Sequence, residues 1–173
     1  MIIRSTTKLL NVARIPPIKN EEPVSLPFPG EWYAMLLSTG RRGSTAIHFL
    51  HNPTMISIIV LGKSLKKVLP LLPGRVISLL QRNKVDELIP AYDLDSPPSI
   101  YTTNSRSILA TMNQFKFNIE YHLSASKDLA TADIENIEDL QLNMLIGGKI
   151  GKGSYVTPLE LLNASRVEET IDD

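Results

Sequence analysis

Two groups of polar residues in this chain have types and spacings suited to holding a negative charge. The first is Arg41-Arg42, set between Gly40 and Gly43. Two adjacent guanidinium groups repel one another unless solvent or an anion relieves them, so the pair reads either as a solubilising turn or as an anion contact. The second is Tyr101-Thr102-Thr103-Asn104-Ser105-Arg106-Ser107, with Asn113 two helical turns further on. Asn104 or Ser105 suits a helix cap, and the free amides of a helix start, at the positive end of its dipole, favour an anion. Arg41, Arg42, Asn104, Arg106, Ser107 and Asn113 are therefore the candidate binding residues. The expectation is that they converge on one polar pocket.

Other chemistry finds less support. Gly62-Lys63-Ser64 resembles the end of a phosphate-binding loop, but Ser57 stands where the leading glycine belongs. The run Gly147 to Ser154 has the composition of such a loop without its spacing, and follows a helix, so it reads as a helix exit. His48 and His51 are three apart, which on a strand sends them to opposite faces, and the third histidine is distant at His122. No metal site is expected, and no cofactor. The chain has no cysteine and no Gly-x-Ser-x-Gly turn, so neither a thiol nor a serine triad is indicated. Trp32 and Tyr33 read as core and sheet-edge packing.

Elements must position these residues. Ile2 to Arg4 suits a strand, and Thr6 caps a helix to Val12 or Ala13, stopped at Ile15-Pro16-Pro17. Five prolines between Pro16 and Pro29 mark an extended connector. Trp32–Ser38, Thr45–Leu50 and Met55–Leu61 read as three strands joined by short turns, which predicts an antiparallel meander. Both faces of the third are apolar, so it is expected to be central and covered on both sides. Ser64 starts a helical turn interrupted by Pro70, and Pro73 begins a helix to about Arg82. Beyond the Asp93 to Pro98 loop come a strand from Ile100 to Thr103 and a helix to about Leu123. Ile108, Met112, Phe115 and Ile119, spaced four, three and four, form its buried stripe. Helices from Asp133 to about Leu145 and from Pro158 to about Ala164 complete an α+β fold: a small antiparallel sheet packed against several helices, the sheet early and the helices mostly late. Residues 1–165 read as one domain, and 166–173, with four acids in eight residues, as an acidic, disordered tail.

The formal net charge of zero conceals a gradient. Residues 1–85 hold twelve Lys and Arg against three Glu, a net +9, and residues 86–173 hold six against fifteen acids, a net −9. Either the halves neutralise one another on folding or the basic half meets an anionic partner. A zero total argues against a dedicated high-affinity DNA binder. The longest apolar run, Met55 to Leu61, is far short of the roughly 18 residues of a membrane span. The first residues carry no signal core, so no membrane is expected and the location read is cytoplasmic.

Met1-Ile2-Ile3-Arg4 with Lys8-Leu9-Leu10, Trp32-Tyr33-Ala34 with Leu36-Leu37 and Arg41-Arg42, and Thr103 to Ser107 with Leu109 and Met112-Asn113 resemble the bacterial family of domain of unknown function 6933. Tyr155 with Pro158-Leu159-Glu160 resembles its C-terminal end. The chain departs from the pattern after Arg42, where glycine and serine replace bulky or basic residues, and in the glycine-rich loop. The resemblance implies one compact bacterial domain, with no established activity attached, and falls on both polar clusters. Three functions follow in order: a non-catalytic module for an anionic partner, nucleic acid or acidic protein; a phosphoester-cleaving enzyme such as a nuclease, using Arg41, Arg42 and Arg106 with His48 or Ser107; and an antitoxin-like protein-interaction module that binds through its acidic half.

Overall fold

The computed structural model of the protein describes residues 1–16, 18, 28–147 and 155–169. The glycine-rich loop at 148–154, most of the proline-rich connector and the last four residues lie outside them. Five strands form one sheet: β1 (Ile2–Ser5), β2 (Glu31–Ser38), β3 (Thr45–Asn52), β4 (Ser57–Leu61) and β5 (Ser99–Thr102), in the order β4-β3-β2-β1-β5. The expected meander exists as β2-β3-β4, all antiparallel. The sheet as a whole is mixed, because β1 runs parallel to both β2 and β5. Parallel neighbours need a crossover, and α1 (Thr7–Ala13) lies in the one from β1 to β2. The short turns of the meander carry no sign of this pairing.

Both faces of the sheet are covered. Ile3, Trp32, Ala34, Ile47, Phe49, Ile58 and Val60 pack with α1, α2 (Leu65–Val68) and α3 (Leu72–Arg82), together with 3₁₀ turns at Leu69–Leu71 and Asp86–Tyr92. Tyr33, Met35, Leu37, Ala46, Leu50 and Ile59 pack with α4 (Arg106–Ala125) and α5 (Thr131–Leu142). The predicted stripe Ile108, Met112, Phe115 and Ile119 is buried in this second layer. Helices are thus divided between two faces, three short ones preceding β5 and the three longest following it, in a three-layer α+β arrangement with most of the helix late in the chain.

β4 is apolar on both faces as expected, with Ile58, Ile59 and Val60 buried, but it lies at the sheet edge. Apolarity reported the two covering layers and could not report neighbours within the sheet. The edge is closed by a side chain: Ile59 N donates to Glu138 Oε1 of α5 at 2.8 Å. Glu138 is fully buried, and its other oxygen accepts from Arg75 Nη2 at 2.7 Å and Arg82 Nη2 at 3.2 Å. Arg82 also pairs with Asp139, and Arg75 with Glu135. Two arginines of the basic half thereby meet three acids of the acidic half, so the halves do neutralise one another at this contact.

Local signals set the helix ends. Thr6 Oγ1 accepts from Leu9 N and Ser105 Oγ from Ile108 N, the side-chain caps that satisfy first-turn amides. Thr157 and Glu160 exchange reciprocal bonds at the start of α6 (Pro158–Glu169). This helix carries the chain through Glu169, where the sequence reading begins the acidic tail at residue 166. Arg166 there pairs with Glu87.

Candidate anion-binding site

β1 and β5 are adjacent and parallel, and the helices that follow them lie on opposite faces of the sheet. Such a divergence is where open α/β sheets place ligands, in the crevice outside the carboxyl ends of the strands. The chain turns off β1 at Thr6, whose amide donates to Ala34 O at 3.0 Å, and off β5 at Thr103, whose amide donates to Ser5 O at 3.3 Å. Asn104 and Ser105 then lead directly into α4.

Asn104 is joined to a buried network. Arg4, 3% exposed on β1, donates from Nε and Nη2 to the two oxygens of Glu31 on β2, both at 2.7 Å. The strand register sets Arg4 beside Tyr33 and Tyr101, and its guanidinium carbon lies 5.5 Å from the centre of the Tyr101 ring. Tyr33 donates its hydroxyl to Asn104 Oδ1 at 2.7 Å and lies 3.3 Å from Glu31 Oε2. Burial, followed by the Glu31 charge, pushes the Tyr33 phenol up, so it remains a donor. The bond to Glu31 raises the Arg4 guanidinium in turn. Among the described residues Arg4 Nη1 and Asn104 Nδ2 are buried donors without a partner, whereas such groups are ordinarily satisfied.

The sequence-predicted residues divide between the two ends of α4. Asn104, Arg106 and Ser107 stand at its start, Arg106 and Ser107 exposed, and Asn113 is exposed two turns along. Arg106 makes no ion pair among the described residues. Arg41 belongs to the other end: its Nη2 donates to the carbonyls of Ser126 and Lys127, just past the last turn. Arg42 is exposed on the same β2–β3 turn. Twenty residues at 1.5 Å each put about 30 Å of helix between the groups, so the single pocket expected of all six is not formed. A helix of that length across the sheet could not be inferred from strand positions alone. Arg41 finds its counter-charge in the carbonyl end of the helix dipole.

His48 is fully buried, with Nε2 2.9 Å from Ser57 Oγ. Burial lowers it to about 3. His51 is equally buried on the opposite face, between Thr54 Oγ1 at 2.7 Å and Pro29 O at 2.9 Å. Ser107 Oγ bonds to Ser105 Oγ at 3.0 Å, without an imidazole or carboxylate partner among the described residues. No group of three or more His, Cys, Asp or Glu suited to a metal occurs among them either.

Sequence reasoning missed the Arg4–Glu31–Tyr33 network. Its signal was a charge in each of two short apolar strands, Arg4 after Ile2-Ile3 and Glu31 before Trp32, of opposite sign. It also missed a cavity of about 290 Å³ between α1 and α4, lined by Lys8, Leu36, Leu37, Ser38, Thr45, Lys116 and Glu120. No helix of the described residues is long and apolar enough to cross a membrane. Comparison with curated proteins gives no match. The model of a family described as Domain of unknown function (DUF6933) matches residues 2–161, a span that takes in the whole sheet and both ends of α4, and the chain belongs to that family.

Proposed function

We propose that this chain is a non-catalytic cytoplasmic domain that binds a nucleic acid through the start of α4. The observation that carries the reading is the exposed Arg106, without an ion pair among the described residues, beside Ser107 at the positive end of a 20-residue helix. Asn104, at the same point, holds an amide nitrogen without a partner among the described residues. Backbone amides, a guanidinium and a hydroxyl are the groups that recur at phosphate contacts. The basic half adds a diffuse field: Arg14, Arg42, Lys63, Lys66, Lys67 and Lys84 make no ion pair among the described residues, whereas Arg4, Arg75 and Arg82 are matched by acids.

Retention of labelled single-stranded RNA and DNA by the pure protein tests this, at two salt concentrations and with and without divalent metal. Arg106→Glu should weaken retention at least tenfold and flatten its salt dependence by about one charge. Retention that is unchanged in Arg106→Glu refutes the α4 start as the contact. Cleavage on adding metal would favour the phosphoester-cleaving enzyme. Absence of retention by the wild-type chain would leave the protein-interaction module.

A further inference from the structure

β1 is shorter than its neighbour. It pairs with β2 only as far as Ser5 opposite Ala34, so among the described residues Leu36 to Ser38 continue without a strand on that side. The space this leaves is the 290 Å³ cavity, walled by α1 on one side of the sheet and α4 on the other. It lies beyond the carboxyl end of β1, at the divergence between the two helices. Lys8 of α1 and Lys116 of α4 line it, and neither has a hydrogen bond or ion pair among the described residues. Glu120 is the cavity's one acid, and one of its oxygens already accepts from Ser38 N at 2.7 Å. Leu36 and Leu37, on opposite faces of β2, add apolar lining on the α1 and α4 sides.

Two lysines against one partly engaged carboxylate leave the lining net positive. Lysines act on phosphate as compact, adjustable charges. The free oxygen of Glu120 would repel a bare anion close to it and accept a hydrogen bond from a hydroxyl. At roughly 30 Å³ per water, the volume is that of about ten waters, enough for a small molecule and too little for a polymer segment. We propose that this cavity binds a small phosphomonoester carrying a free hydroxyl, its phosphate between Lys8 and Lys116 and its hydroxyl on Glu120. The inference is independent of nucleic-acid binding at the α4 start, about three turns away from Lys116.

Titration of glycerol phosphate, inorganic phosphate and glycerol into ¹⁵N-labelled protein, followed by amide shifts and calorimetry, tests it. Glycerol phosphate should saturate with shifts at Lys8, Ser38, Lys116 and Glu120, and glycerol alone should not. Lys8→Gln and Lys116→Gln should each weaken it at least tenfold, with thermal unfolding confirming that each variant is folded. Glu120→Gln should weaken glycerol phosphate relative to inorganic phosphate, because the better hydroxyl acceptor is lost while the repulsion is relieved. Lys66→Gln, outside the cavity, and Arg106→Glu should leave binding unchanged, which separates this site from the one tested with nucleic acid. Shifts that do not saturate at millimolar glycerol phosphate, or affinity unchanged in both lysine variants, would overturn the proposal. Shifts confined to the α4 start would overturn it equally.

Discussion

Acidification from pH 7.5 to pH 5 should destabilise this protein through two histidines it has buried in neutral form. His48 and His51 are fully enclosed on opposite faces of β3, and burial lowers them to about 3 and about 4. In the unfolded chain each titrates near 6.5. Because the folded values are depressed, stability is fully present above about pH 6.5 and is lost as pH falls toward the folded values. At pH 5 an unfolded histidine has gained about 2 kcal/mol of protonation free energy that the folded one has not, since 1.5 pH units at 1.36 kcal/mol each separate pH 5 from its free pKa. The pair together amounts to about 4 kcal/mol, a large part of the 5–15 kcal/mol typical of a domain. Urea unfolding followed by the fluorescence of Trp32, the single and buried tryptophan, measures it directly. Glu138, whose carboxyl burial pushes up, titrates in the opposite sense, so the comparison with His48→Leu isolates the imidazole. That variant should lose about half of the pH dependence, whatever its absolute stability. A wild-type change below about 1 kcal/mol between the two pH values would refute the reasoning.

Truncating Phe115 to Ala should cost about 3–5 kcal/mol, because the ring is fully enclosed between α4 and β3; a loss under half a kcal/mol in urea would place this face at the surface. Glu138→Ala should cost about 3–5 kcal/mol by stranding Ile59 N and leaving the half-buried Arg75 without its closest carboxylate. Hydrogen exchange at Ile59 should accelerate in the same variant, and an unchanged rate would mean that the edge is protected by something else. Gly30→Ala should cost about 3 kcal/mol or more, since Gly30 has φ +66° and an added Cβ would stand 2.1 Å from Asn52 O. A thermal midpoint equal to wild type would show that β2 and β3 can separate at that end without loss.

Local chemistry carried far along this chain. Thr6 and Ser105 mark helix starts because a side-chain oxygen must replace a missing backbone acceptor within three residues, a requirement written wholly in neighbouring positions. The spacing of Ile108, Met112, Phe115 and Ile119 identifies one helix face for the same reason. The opposite placement of His48 and His51 follows from the two-residue period of a strand. The polar junction from Asn104 to Ser107 was visible because those residue types gather where a strand gives way to a helix.

Relations between distant segments were settled by the tertiary structure alone. The meander β2-β3-β4 was legible in the chain's short turns, which admit only antiparallel neighbours, but β1 and β5 join it by crossovers whose partners are chosen by packing. The apolar pattern of β4 determined that both its faces are covered; its place at the edge depended on Glu138, 79 residues from Ile59, reaching its backbone. Charge counting determined that the halves are opposite in sign, and folding decided which charges meet: Arg75 and Arg82 with α5, Arg4 with Glu31. The separation of Arg41 from Arg106 has the same origin. A helix's length is local information, but its path over the sheet is fixed by which apolar stripe fits which strands, so two clusters of like composition were carried to its opposite ends. Lys8 and Lys116, unremarkable in sequence, were brought to one cavity because β1 stops at Ser5 and β2 continues beyond it.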